Sequence, residues 1–578
     1  MKAAQVMGVV MAASVAMPIS APVLASDYAE VQRQSLYVPV RDGTPLAVNL
    51  YRPAQAGKPV DGRMPVIFVF TPYRARYRDK DGKVQEVALD DKMALRSLIR
   101  AGYVVAVADI RGKGASFGHR RGFQDRTEAM DGHDLVEWLA RQPFSTGKVG
   151  MMGCSYLGGT TFHTASTVPP SLKAVFVGSS DLDKYAFVRR GGITAQFNTR
   201  PDEPLSDDLA SLPVDDDAAG VKLKAAVAQH ANNTPMAALW YGMPTRDSVS
   251  RYTGNAFWEE VGIYNYLAPI RKAGIGTYFW SNWHDEPTAQ SILSAANMPG
   301  SKFLAGPGSH CVPPPGFDFT GEVVRYFDHY LKGADNGIEK APRATYWLEG
   351  LNGSGGYVRS NRLPGEGARP MRWYLDGGRS QTARSVNDGT LRTSVGKAGA
   401  DPFTVRYDLP SADYFAFWAQ PMDDKGLSYT SAPLAAPTRL VGYPVVNLRV
   451  KADKPDANVF VYLDQVAADG KAEVVAFGRL ALSHRKTGTA PYKTMGLPYH
   501  PGKAADVAPL PVGQAADLAI DLTPVSRIVP AGARLRVTIT GADPRQRNLK
   551  DIQQTPAPVI TVERGAGAPS WIELPVSD

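Results

Sequence analysis

Apolar positions change rhythm twice along the chain. Val66-Ile67-Phe68-Val69-Phe70 is an unbroken apolar run, and Tyr103-Val104-Val105-Ala106-Val107-Ala108 is another. Runs of that length without polar alternation mark strands buried on both faces, as in a parallel sheet. Upstream, two β-rich runs (residues 37–40 and 46–51) flank Arg41-Asp42-Gly43, and the Asp-Gly turn predicts a hairpin. Residues 91–101 and 126–142 are helix-like; the second stretch places Met130, Leu135, Trp138 and Leu139 at helical spacing. Short strands are predicted at 149–152 and 173–177, with a helix from Tyr156 onward between them. Strands alternating with helices predict a doubly wound, mostly parallel sheet.

The rhythm breaks between about residues 181 and 269. Pro-containing loops, the acidic patch Asp215-Asp216-Asp217 and a helix at 221–230 read there as an inserted helical cap. The α/β pattern returns at 276–280 and 302–305, and a helix at 322–332 stops at Gly333, a residue suited to a left-handed C-cap. After residue 341 short period-two runs appear at 343–349, 371–375, 445–450, 459–463, 535–539 and 559–563, separated by Gly, Pro and Asp. Helical patterns are nearly absent there, which predicts a β-sandwich. The expected division is 1–25 leader, 26–180 α/β core, 181–270 cap, 271–340 remainder of the core and 341–578 sandwich; a chain of 578 residues is too long for one ordinary core.

Charge narrows the function classes. The 64 basic residues are offset by 56 acidic ones, for a net +8, and no run of five bases or aromatic-interleaved basic stripe occurs. Nucleic acid is a poor partner for such a surface. Lys2 is the one charge before Asp27; an apolar run at 6–17, too short to span a bilayer, is followed by small residues ending in Val23-Leu24-Ala25. This predicts a cleavable secretory leader cut after Ala25, and a periplasmic or secreted protein. No later stretch is apolar enough for a membrane span. Two cysteines, Cys154 and Cys311, make neither a disulfide framework nor a thiolate zinc site, and no H-E-x-x-H spacing occurs. No metal or cofactor is expected.

The sharpest chemical motif is Gly153-Cys154-Ser155-Tyr156-Leu157-Gly158. It reads G-x-S-x-x-G rather than the strict G-x-S-x-G, but a predicted strand leads in and a helix leads out, the setting a nucleophile elbow requires. A serine hydroxyl is a weak nucleophile. It needs a base, and the base needs an orienting acid. With chain order Ser, acid, His, the best-placed residues are Asp285, just past the strand at 276–280, and His310, past the strand at 302–305 in Gly306-Pro307-Gly308-Ser309-His310. The Tyr156 N–H is one candidate oxyanion donor; a second should come from the loop Thr71-Pro72-Tyr73-Arg74. By position alone Tyr73 reads as a packing aromatic.

Several segments together resemble the cocaine esterase / X-Pro dipeptidyl-peptidase (CocE/NonD-type) family, which includes α-amino-acid ester hydrolases and glutaryl acylases. The resemblance runs from Val40-Arg41-Asp42-Gly43-Thr44-Pro45-Leu46 through Thr71-Pro72-Tyr73, the stretch from Asp109 to Gly118, Asp131-Gly132-His133-Asp134, and Gly153 to Gly158. It continues through residues 306–310, Tyr330-Leu331-Lys332-Gly333, Leu427-Ser428-Tyr429-Thr430-Ser431 and the stretch from Pro530 to Val537. It implies an α/β-hydrolase core, a helical cap and a C-terminal jelly roll. It implies hydrolysis of a small ester or amide, with Ser155 as nucleophile, His310 as base, Asp285 as orienting acid, and Tyr73 with Tyr156 as oxyanion hole. The family's elbow reads G-x-S-Y-x-G, so Leu157 fits.

Departures bear on substrate. The ammonium-binding carboxylates that α-amino-acid ester hydrolases place after the triad aspartate are not matched: Asp285 is followed by Glu286, Pro287 and Thr288. Arg189 and Arg190 stand near the place of the missing cap acid and suit a substrate carboxylate, the plain alternative being a solvated pair. With Trp283 and Glu286 they make up the candidate substrate-binding set. Cys154 and Cys311 adjoin nucleophile and base, and two separate buried thiols are expected over a bridge. An exopeptidase acting on peptide-like amides is the alternative hydrolase, and a carbohydrate-binding protein using its jelly roll the alternative from another class. Self-association is left open.

Overall fold

The structure, a computed structural model, describes residues 27–194, 200–351, 354–410, 412–546 and 552–577. The expected leader and its cleavage point lie outside the described residues. The hairpin at the start is present: β1 (Glu30–Pro39) pairs antiparallel with β2 (Pro45–Gln55), and Gly43 takes the positive φ of 83° that the turn requires. The core strands are β3 (Met64–Thr71), β4 (Val104–Asp109), β5 (Ser145–Cys154), β6 (Leu172–Gly178), β7 (Gly276–His284) and β8 (Lys302–Ser309). Two more strands, β9 (Ala344–Glu349) and β10 (Gly355–Ser360), complete the sheet. Across it the order is β1-β2-β4-β3-β5-β6-β7-β8-β9-β10. Every pair from β4 to β9 is parallel; the outer pairs are antiparallel.

Alternate side chains of these strands enter two separate cores, which is why the runs are apolar without interruption. Val66, Phe68 and Phe70 face one side with Ala106, Met151, Val175, Phe279 and Phe303. That side is covered by α2 (Arg126–Ala140), α3 (Tyr156–Ala165) and α4 (Thr288–Asn297). Ile67 and Val69 face the other with Val105, Met152, Phe176, Tyr278 and Leu304, under α1 (Leu95–Arg100) and α5 (Phe319–Phe327). The stretch at 91–101 is broken by Ala94 at φ 59°, so only its second half is α-helix. The predicted helix at 322–332 is α5 followed by a turn of π-helix, Asp328–Lys332, closed by Gly333 at φ 75°.

The insertion is helical, with Lys184–Val188, Val221–Gln229, Met236–Tyr241 and Phe257–Glu260 among its elements. Its small core stacks Trp240 on Trp258 at 5.2 Å between ring centres. The β-rich remainder differs from expectation at its start. The run at 343–349 joins the α/β sheet as β9, parallel to β8, and β10 follows it, so that sheet extends through Ser360. Beyond it, two layers enclose a second core. One pairs Leu427–Ser431, Arg534–Thr540, Asn458–Val466 and Ala472–Ala481 in that order. The other pairs Gly399–Thr404, Val559–Arg564, Val445–Ala452 and Ala516–Asp521. Val461, Val537 and Tyr429 of the first meet Val446, Val450 and Ile560 of the second.

Candidate functional site

Ser155 stands alone between β5 and α3, at φ 62° and ψ −126°. A non-glycine residue there costs on the order of 1–3 kcal/mol and persists only where its surroundings hold it. Here the Ser155 N–H donates to the Gly178 carbonyl at 3.0 Å and the Ser155 carbonyl accepts from the Gly159 N–H at 2.9 Å. The motif's glycines have local reasons. A Cβ on Gly153 would lie 2.4 Å from the Leu157 backbone, and one on Gly158 would lie 2.2 Å from the Gly178 carbonyl oxygen.

Asp285 follows β7 directly and is fully buried. Its Oδ2 accepts from the Ser179 hydroxyl at 2.7 Å, and its carbonyl accepts from the Thr288 N–H at 3.1 Å. The His310 Nδ1 lies 2.9 Å from Oδ1 and 3.0 Å from Oδ2. A carboxylate only accepts, so Nδ1 carries the proton and Nε2 is left as the basic nitrogen. Strand β8 runs on through the expected loop to Ser309, making His310 the first residue beyond it. The Asn282 amide holds that turn by donating to the Ser309 and Val312 carbonyls, both at 2.7 Å. The Phe417 ring, from the β-rich region, covers the His310 imidazole at 4.4 Å between centres.

Ser155, His310, Tyr73 and Tyr156 line one cavity of ≈ 640 Å³. Tyr73 exposes 39% of its surface, and its hydroxyl lies beside the Ser155 side chain and the Tyr156 N–H. Burial raises that hydroxyl above its ordinary range, against the pull of Arg200 and the hydrogen bonds from Ser155 and Tyr156. It is thereby kept as a neutral donor. Phe123, between Tyr156 at 4.6 Å and Trp240 at 5.3 Å, forms an aromatic wall, and Phe415 and Phe417 form another. Many charges in the lining are paired, Lys184 with Asp181 at 2.6 Å, Lys113 with Glu203 at 3.0 Å and Arg120 with Asp202 at 3.8 Å, and His230 Nδ1 lies 2.9 Å from Asp208, while the exposed Asp90 is in no ion pair among the described residues. The Tyr156 hydroxyl donates at 2.7 Å to Glu128, a carboxyl pushed up to about 8 by burial and by nearby Asp125.

The four candidate substrate-binding residues sit elsewhere, and none lines that cavity. Arg190 is 2.9 Å from Asp521 and 3.9 Å from Glu286. Glu286 is also 2.9 Å from the buried Arg479 of the β-rich region. Arg189 donates to the Trp240 carbonyl at 3.4 Å, and the Trp283 indole donates to the Trp347 carbonyl at 2.7 Å. Arg190 and Glu286 thus pair with the β-rich region, Arg189 bonds within the cap and Trp283 within the α/β sheet, which corrects the expectation that these four line the cavity holding Ser155. The cysteines are a second correction. Cys154 and Cys311 are disulfide-bonded, with Cα atoms 5.7 Å apart. Cys154 does face the core with Leu157 and Trp280, as the elbow geometry requires, but Cys311 packs against the same cluster and meets it there.

Sequence reasoning missed Ser179 and Phe417. Ser179 carried a positional signal, since it follows β6 at the same sheet end as Ser155 and Asp285. Phe417 carried none, because the approach of the β-rich region to His310 is a matter of domain packing.

Known proteins can be set beside this geometry. The model of the X-Pro dipeptidyl-peptidase (S15 family) matches residues 42–312, and that of the X-Pro dipeptidyl-peptidase C-terminal non-catalytic domain matches residues 336–553. A protein of Mycobacterium tuberculosis named as a serine esterase is 29% identical, with 95% of this chain and 96% of that one aligned. The cocaine esterase of a Rhodococcus species is 24% identical over 94% of this chain and 98% of its own. Among solved structures, a CocE/NonD family hydrolase from Staphylococcus aureus superposes with a TM-score of 0.73 at 19% identity, covering 95% of this chain and 94% of the other. An α-amino acid ester hydrolase gives 0.70 at 18% identity, covering 98% of this chain and 100% of the other.

Proposed function

Because the chain belongs to the cocaine esterase / X-Pro dipeptidyl-peptidase family and is a serine hydrolase, we propose that it cleaves small carboxylic esters with apolar acyl groups through an acyl-enzyme on Ser155. The observation carrying this reading is the convergence, in one aromatic-walled cavity, of a serine on a strained elbow and a histidine held by a buried aspartate. Ser155 Oγ attacks the ester carbonyl carbon and passes its proton to His310 Nε2, while Asp285 steadies the imidazolium. The oxygen of the tetrahedral intermediate turns towards the Tyr73 hydroxyl and the Tyr156 N–H. Collapse expels the alcohol, protonated by His310, and water then releases the acid by the same steps.

The charge pairing within the lining favours an ester over a peptide N-terminus. An ammonium needs an uncommitted carboxylate. Asp181, Asp202, Glu203 and Asp208 each already face a cation, as does Glu286 outside the cavity, which leaves the exposed Asp90 as the lining carboxylate that a substrate ammonium would have to use. The test is fluorophosphonate labelling with steady-state hydrolysis of aryl and alkyl esters, β-lactam amides and dipeptidyl amides. The expected result is one adduct at Ser155, ester turnover, and a loss of at least about 10⁴-fold in kcat for Ser155→Ala. An adduct elsewhere would sink the assignment, and preferential turnover of dipeptidyl amides would replace the ester by a peptide substrate.

We also propose export with cleavage after Ala25. The leader-like pattern supports it, and the disulfide suits an oxidising compartment. Sequencing the N-terminus of the exported protein should begin at Ser26; a retained Met1 in the periplasm or medium would refute the cleavage.

A further inference from the structure

The disulfide occupies an unusual place: it joins the residue before the candidate nucleophile to the residue after the candidate base. Cys154 ends β5 and Cys311 follows His310, 157 residues on in the chain, and the two share the cavity wall with Ser155 and His310. The other restraints on the His310 turn are one long backbone bond, Val312 N–H to the Ser309 carbonyl at 3.3 Å, and side-chain contacts: Asn282 holds its carbonyls, Asp285 holds the imidazole and Phe417 covers it. The β7–β8 register shifts between Asn282 and His284, so the ladder is irregular where the histidine leaves the sheet. Cys311 itself sits at φ 57°, a left-handed conformation a cysteine does not choose unaided. A turn in that state tends to relax when a tie is cut, and relaxation there moves His310 relative to Ser155.

We propose that the Cys154–Cys311 bridge is a positioning element of the catalytic apparatus, holding the base against the nucleophile, and that its reduction disables turnover without unfolding the protein. The inference rests on the Ser155–His310 reading above. The bridge lies on the cavity wall, with Cys311 only partly buried, so a small dithiol can reach it. The step is a two-electron exchange: one dithiothreitol loses two electrons and two protons to become its cyclic disulfide, while the Cys154–Cys311 bond breaks to give two thiols.

The experiment compares the full-length protein before and after dithiothreitol, and the Cys154→Ser/Cys311→Ser variant. Thiols are counted on denatured samples, the fold is followed by circular dichroism and thermal melting, and Ser155 is followed by ester kinetics and fluorophosphonate labelling rate. The oxidised protein should show no free thiol and the reduced one two. Reduction should lower kcat and the labelling rate by ~10-fold or more with the fold retained. KM should stay within about twofold, because the cavity walls persist. Reoxidation should restore kcat, and the double variant should match the reduced enzyme and ignore dithiothreitol. Equal kcat and labelling with two thiols demonstrated would overturn the proposal, as would activity lost only in step with the fold, or two free thiols in untreated protein. Absence of Ser155 labelling in both states would instead overturn the nucleophile reading itself.

Discussion

At the residue scale the site depends on groups held against their own preferences. Ser155 is kept at φ 62° by backbone hydrogen bonds to Gly178 and Gly159, and its hydroxyl is thereby presented to the cavity rather than to α3. Tyr73 shows the limit of positional reading. From sequence alone it is an aromatic at the start of a loop; in the fold its hydroxyl lies beside Ser155 and the Tyr156 N–H. If that hydroxyl stabilises the oxyanion, Tyr73→Phe should lower kcat by about 10²-fold with little change in KM, read from steady-state ester hydrolysis. A rise in KM alone would reduce Tyr73 to a wall of the cavity. Arg190 shows the opposite case. Its chemistry suits a substrate carboxylate, but Asp521 and Glu286 already take its charge.

At the element scale, strand ends carry the chemistry. Ser155, Asp285 and His310 sit at the carboxyl ends of β5, β7 and β8, where parallel strands release their chains at one edge of the sheet. The strands were legible because alternate residues enter two apolar cores. Their ends were less so: β8 continues through Gly306-Pro307-Gly308-Ser309, residues that look like a loop, because β7 supplies a parallel partner as far as His284. The β-rich region has its own exception to apolar filling. Asp464, on Asn458–Val466, is fully buried; Oδ2 accepts from Thr538 at 3.3 Å and Oδ1 has no hydrogen-bond partner among the described residues. Burial pushes its carboxyl up to about 7, despite nearby Arg536. An acid whose folded pKa is raised contributes stability fully below its unfolded value and loses it as pH rises through the folded one. The window is therefore about pH 4 to 7. Asp464→Asn should match the parent near pH 4 and be more stable by pH 8, on the order of a few kcal/mol. Thermal melts across that range would check it, and a constant difference at every pH would refute it.

At the scale of the whole molecule, the β-rich region completes the site. Phe417 covers His310, and Arg479 pairs at 2.9 Å with Glu286, the neighbour of Asp285, with both side chains nearly inaccessible. Burial lowers the Arg479 guanidinium from its ordinary value while Glu286 opposes that shift. Removing one partner of such a pair leaves the other charged in a poor solvent. Glu286→Gln should destabilise the protein by about 3 kcal/mol, and adding Arg479→Met should recover part of that loss. Denaturant unfolding of the two variants measures both effects; additive losses would mean the pair is not coupled.

What the sequence by itself determined was the sheet, the elbow and the order of Ser155, Asp285 and His310, because periodicity and strand-end position are local properties of a chain. Only the tertiary structure decided three things: that Arg190 and Glu286 pair with the β-rich region while Arg189 and Trp283 bond within their own regions, that Ser179 and Phe417 attend Asp285 and His310, and that the cysteines are joined. Each depends on which distant segments meet, and that is set by the packing of cores against one another. A cysteine beside an elbow serine obeys the same local rule whether or not another cysteine arrives 5.7 Å away.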